Sequence, residues 1–97
     1  MNSYLLSEAA TQDIETIFQF GIDRFGIHKA EQYINGLETR LKEIANQPKS
    51  FPAVDYLREG YRRSTYRSHS IYYKKLGNGV LIVRILGAQN ISTALPT

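Results

Sequence analysis

Residues 60–86 read GYRRSTYRSHSIYYKKLGNGVLIVRIL, and this stretch decides the fold. Residues 61–66 and 68–76 read as strands, the second alternating His69, Ile71 and Tyr73 with Ser70, Tyr72 and Lys74. Asn78-Gly79 is the dipeptide of a type I′ hairpin, whose two central residues both need positive φ. Residues 80–86, apolar except for Arg84, read as a central strand covered on part of both faces.

Upstream, residues 49–59 contain Pro52 and no clean period, so they read as a connecting loop. Before them, Ala30, Tyr33, Ile34, Leu37, Leu41, Ile44 and Ala45 recur at helical spacing. Asn46-Gln47-Pro48 ends that helix, because proline disfavours a helical conformation in the residue before it. Ala10, Ile14, Ile17, Phe18 and Phe25 give an earlier helix one apolar stripe, with Ser7 as N-cap and Gly26 as the break after it. Tyr4-Leu5-Leu6 is a brief strand. The order is β-α-α-β-β-β: an α+β fold, an antiparallel sheet with an N-terminal helical hairpin packed on one face. Residues 1–97 form a single domain of this kind. The stripe Ile14, Ile17, Phe18, Tyr33, Leu37, Leu41 and Ile44 is expected to pack on Ile71, Leu81, Val83 and Ile85.

The chain has no cysteine, which removes disulfides, thiolate metal sites and a cysteine nucleophile. His28 and His69 are the only imidazoles, so neither a metal site nor a cofactor is expected. No signal-like segment and no apolar run of ~20 residues is present, so a cytoplasmic protein without membrane attachment is expected. The net charge of +3 hides an asymmetry. Residues 1–48 carry four cations against seven carboxylates, and residues 49–97 carry eight against two. A basic half points to nucleic acid or an acidic protein as partner.

Within that half, regular alternation places Arg63 and Arg67 on one parity and Arg62 on the other. Tyr72 and Tyr73 face opposite sides, so one joins the core and the other stays on the surface. Arg84 in an apolar strand needs either an ion pair, for example with Asp13, or a role as a cation on the open sheet face.

Ala9-Ala10 and Asp13-Ile14 opening the first helix, Phe25-Gly26 between helices, and Gly60-Tyr61-Arg62-Arg63 resemble the ParE toxins of the RelE/ParE superfamily. So do Ser68-His69-Ser70-Ile71-Tyr72-Tyr73 and Ile82-Val83-Arg84-Ile85-Leu86. The resemblance runs to about Leu86. It departs where family members commonly continue with a histidine and then an aspartate; here Gly87-Ala88-Gln89-Asn90-Ile91 follows. The resemblance implies a toxin that poisons DNA gyrase, with DNA contacted through the gyrase complex. It also implies a ParD-like antitoxin that holds the toxin in a hetero-oligomer, by helix-in-groove docking or strand addition.

The RelE branch of the same fold cleaves ribosome-bound mRNA, which needs a base, an acid and a cation on the phosphate. After Arg84 no His, Lys, Arg, Tyr, Asp or Glu follows, so part of that set is missing. No catalytic residue is therefore assigned. Arg62, Arg63, Tyr66, Arg67, His69, Tyr73 and Arg84 stand as target- or antitoxin-binding candidates. The alternatives are a RelE-type nuclease and a weakened toxin serving as co-repressor with its antitoxin.

Overall fold

The computed structural model describes residues 3–87 and Leu95. Its order is β1 (Tyr4–Leu6), α1 (Glu8–Phe25), α2 (Ile27–Asn46), a 3₁₀ turn (Pro48–Ser50), β2 (Tyr61–Tyr66), β3 (His69–Leu76) and β4 (Gly79–Leu86). The strands lie in the order β1-β4-β3-β2. The meander of β2, β3 and β4 is antiparallel, as expected. β1, however, pairs parallel to β4, so the sheet is mixed. Three residues carry no signal of direction; the two helices between β1 and the meander supply the crossover that parallel pairing needs.

Ser7 ties α1 to β4 with one hydroxyl. Its Oγ accepts from Ala10 N at 2.9 Å, capping α1, and donates to Val83 O at 2.7 Å. Gly26, at φ 90, ends α1 and directly precedes α2. Gly21 approaches Ala30 closely, so the two helices pack tightly at this end.

The second hairpin turn differs from expectation. Gly77-Asn78 are its central residues, since Leu76 pairs with Gly79. Only Gly77 there has positive φ, at 59, which is the φ pattern of a type II′ turn.

Two apolar clusters sit on the two sheet faces. Leu37, Leu41, Ile44, Ile71, Tyr73 and Ile82 belong to the one beneath the helices. Val54, Tyr61, Tyr72, Val83, Leu86 and Leu95 form the other. The helical stripe thus meets Ile71 and Ile85, while Leu81 and Val83 turn to the opposite face, against expectation. The cause is a bulge: Tyr72 pairs with Arg84 and Tyr73 with Ile82, leaving Val83 as the extra residue. Because both faces are covered, Tyr72 and Tyr73 are both buried, at 0% and 1% exposure, where a surface position was expected for one. The described part of the second cover is the segment around Val54 and Leu57, with Leu95 beside it. The Leu95 carbonyl accepts from Arg58 Nη2 at 3.3 Å. The rest of the altered tail, residues 88–94 and 96–97, lies outside the described residues.

Candidate functional site

The structure sorts the seven candidate residues into two groups of three and one residue that stands apart. Three serve the fold. Arg62 shares the helix-side face with Tyr73 and donates from Nη1 to Phe51 O at 2.7 Å. The Tyr73 hydroxyl donates to Pro48 O at 2.6 Å, and burial pushes its phenol up to about 12, slightly opposed by Arg62. Arg84 forms a two-pronged ion pair with Asp13, one of the two roles read from the sequence. Hydrogen bonding to Asp13 raises the Arg84 guanidinium above its ordinary value.

Tyr66, Arg67 and His69 converge at one corner. They frame the two-residue turn between β2 and β3, so Arg67 lies in the turn itself and the strand parity argument does not reach it. Arg67 has φ 52, a left-handed position that glycine fills most easily. Its guanidinium lies over the Tyr66 ring, 5.8 Å from the centroid. Arg63 stands apart: it pairs with Tyr72 and so shares the face away from the helices.

Tyr33 of α2, read from the sequence as core, completes the corner. Its hydroxyl lies 2.6 Å from His69 Nδ1 and 3.4 Å from Tyr66 O. Its ring meets both Tyr66 and His69 edge-on, with centroids 5.3 and 5.6 Å apart. Burial pushes the His69 ring below its ordinary value, against a smaller opposing pull from Asp13. The lowered value favours the neutral ring; with one hydroxyl proton, Tyr33 donates either to Nδ1 or to Tyr66 O, and in the second case it accepts from Nδ1–H.

Two clefts meet at His69. One, of about 210 Å³, is lined by Ile17, Phe20, Phe25, Lys29, Tyr33 and His69, among others. The other, of about 370 Å³, runs past Asp13, Thr16 and Ile85 to Gly87. Phe25 was expected in the apolar stripe but is 62% exposed, and Phe20 is 56% exposed. Phe20 lies off that stripe in the sequence, a signal that it need not be core. Among the described residues no cluster of three His, Asp or Glu side chains could hold a metal ion. No helix among them is long and apolar enough to cross a membrane.

The outer edge of β2 is already occupied. Val54 N donates to Tyr61 O at 2.8 Å, Arg63 N to Pro52 O at 3.0 Å, and Arg40 Nη1 to Thr65 O at 2.8 Å. That edge is blocked to an incoming strand.

The sequence matches, over residues 4–91, the family described as the ParE toxin of the type II toxin–antitoxin system parDE. The chain belongs to the ParE toxin family. Relatives agree over most of their length. It is 38% identical over 84 residues to Toxin ParE1 of Mycobacterium tuberculosis, covering 86% of each chain. Toxin ParE1 of Caulobacter vibrioides is 34% identical over 86 residues, covering 89% of this chain and 88% of that one. Among solved structures, a chain of the chromosomal ParDE system from P. aeruginosa superimposes with a TM-score of 0.70 at 22% identity. That likeness, over 92% of this chain and 98% of the other, is one of fold.

Proposed function

We propose that this toxin acts by binding, that its target is DNA gyrase, and that a ParD-type antitoxin neutralises it in a hetero-oligomer. Membership of the ParE family over residues 4–91 is the observation that carries the reading. The fold likeness to a chain of a ParDE system supports the antitoxin as partner. Two arginines that a nuclease would turn on a phosphate, Arg62 and Arg84, are engaged within the fold, which supports binding over phosphodiester chemistry. A gyrase target places the action in the cytoplasm.

A supercoiling assay with purified gyrase tests this reading. Loss of supercoiling with accumulation of cleaved DNA is expected. Normal supercoiling together with mRNA cut on translating ribosomes would replace gyrase poisoning with nuclease action. Operator binding with the antitoxin, and no growth arrest, would make the chain a co-repressor.

A further inference from the structure

α2 carries its charges on two sides of its core stripe. Leu37, Leu41 and Ile44 are buried beneath it. Helical spacing sets Lys29, Gly36 and Arg40 on one side of that stripe, and Glu31 and Glu38 on the other. The acidic side opens on grooves lined by Glu15, Glu31 and Glu38. The other side meets β2.

There guanidinium groups and rings alternate. Arg67 lies 5.8 Å from the Tyr66 centroid, Arg40 lies 5.6 Å from the same ring, and Arg40 is also 5.7 Å from that of Phe51. Arg40 Nη1 donates to Ser64 Oγ at 3.0 Å and to Thr65 O, which fixes the centre of the ladder. Lys29 extends it at one end, lining a cleft of about 220 Å³ with Gln32, Tyr66 and Arg67. Lys49, in the 3₁₀ turn two residues before Phe51, extends it at the other. Lys29, Arg67 and Lys49 are exposed and Arg40 is half-exposed. The line runs beside α2, whose 20 residues span roughly 30 Å. The carboxylate of Glu43 reaches it, 3.8 Å from Arg40 Nε. Asp55 and Glu59 lie further along the chain, between the 3₁₀ turn and β2.

The turn at Arg67 points to a use for its side chain. Both two-residue turns of the meander have positive φ at their first central residue alone. One uses Gly77, at φ 59, and the other uses Arg67, at φ 52. A side chain is disfavoured there, and keeping one at that cost marks a functional position.

We infer that this line takes the phosphate backbone of DNA, with Lys29, Arg67 and Lys49 as the contacts and Arg40 as the brace between them. The inference rests on the gyrase reading given above and adds the surface that meets the DNA gyrase holds. A polyanion with evenly spaced charge suits a line of cations. A protein partner instead needs an apolar or aromatic anchor at the centre of its contact. The exposed large apolar side chains, Leu5, Phe20, Phe25 and Leu76 among them, are not part of this line. A second copy of the chain would set like charges against each other across a two-fold axis. Contacts to phosphate position the DNA and carry no base readout.

The test is fluorescence polarisation of a labelled duplex of about 20 base pairs with the whole chain, from ~50 to ~200 mM salt. Three phosphate contacts predict a slope of log K against log salt of about −3. Lys29→Gln, Lys49→Gln and Arg67→Gln should each bring that slope about one unit closer to zero. Lys42→Gln, an equal change of charge on the Glu38 side of α2, should leave it unchanged. Arg67→Gly should weaken binding as Arg67→Gln does while keeping or raising the melting temperature, because it relieves the turn. If the parent binds no duplex, if the three variants bind as the parent does, or if Lys42→Gln weakens binding as much as they do, the inference fails. A parallel supercoiling assay separates that failure from failure of the gyrase reading. Inhibition of gyrase by a parent chain that binds no duplex leaves the gyrase reading standing without this surface. No inhibition by the parent removes the gyrase reading, whereas duplex binding that depends on these three residues would still establish the surface. Polyglutamate is the second probe. Binding to it through these residues, with none to the duplex, would make the line a surface for acidic protein and overturn the inference.

Discussion

Asp13 on α1 grips Arg84 on β4 with both carboxylate oxygens, at 2.8 Å to Nε and 2.9 Å to Nη2. Its Oδ2 also accepts from Ile85 N at 2.9 Å. β1 pairs with β4 only as far as Ile82, so beyond that point the helix carboxylate takes over the strand's exposed amide. Asp13→Ala removes both functions at once. A cost of about 2–3 kcal/mol is expected, at the lower end of buried pairs because both side chains retain some solvent contact. A double-mutant cycle with Arg84→Ala should return a coupling of about 1–3 kcal/mol in urea unfolding. Additive costs would show that the pair contributes nothing as a pair.

Tyr72 and Tyr73 are neighbours with opposite needs. The Tyr73 hydroxyl is bonded to Pro48 O, whereas that of Tyr72 is buried and, among the described residues, has only the Arg63 guanidinium nearby and no hydrogen bond of normal geometry. Tyr73→Phe should cost about 0.5–1.5 kcal/mol, and Tyr72→Phe should stabilise by up to about 1 kcal/mol. Denaturant midpoints of the two variants should move in opposite directions. A shift in the same direction would mean that the Tyr72 hydroxyl is satisfied.

Tyr73 also sets an alkaline limit. Its phenol is pushed up to about 12 in the folded chain against 10.0 ordinarily, chiefly by burial. Below pH 10 both states keep the proton, and the contribution to stability is complete. Between about 10 and 12 the unfolded chain releases its proton first, so stability falls as pH rises. The melting temperature should drop more steeply over that window in the parent than in Tyr73→Phe. Parallel curves would refute the assignment.

The helices, the meander and the Asp13 partner of Arg84 were legible because each leaves a local mark: period, turn dipeptide, or a charge that needs an opposite. The direction of β1 was not, since Tyr4-Leu5-Leu6 pairs equally well either way until the crossover is known. Nor was the bulge at Val83, because residues 80–86 are apolar on both parities apart from Arg84, and one charge does not mark a change of face. The corner was half legible. Tyr66, Arg67 and His69 lie together in sequence, but Tyr33 and Lys29 arrive from α2 and their helical spacing is indistinguishable from core or solvated surface.

His69 predicts an acid effect. Burial keeps its folded value below 6.5, the ordinary one. Above that pH both states are neutral and its contribution to stability is complete. As pH falls through 6.5 the unfolded chain takes up the proton first, so stability declines until the folded ring protonates as well. The difference in melting temperature between parent and His69→Gln should shrink from pH 7.5 to pH 5.5. A constant difference would show that the ring titrates alike in both states.

Gly36 holds the corner open from below. A Cβ there would strike the Tyr66 hydroxyl, and the ring carbon bearing it lies only 3.0 Å from the same point. In a solvent-facing helix, glycine to alanine gains roughly 0.5–1 kcal/mol of propensity. Here the methyl group must displace Tyr66, and overpacking typically costs about 1–3 kcal/mol, so the collision should win. Gly36→Ala should therefore lower the melting temperature. Tyr66→Phe removes the atom that collides, and combining it with Gly36→Ala should recover much of the loss. If Gly36→Ala stabilises the chain outright, the Tyr66 ring does not rest on α2 and the corner is arranged differently.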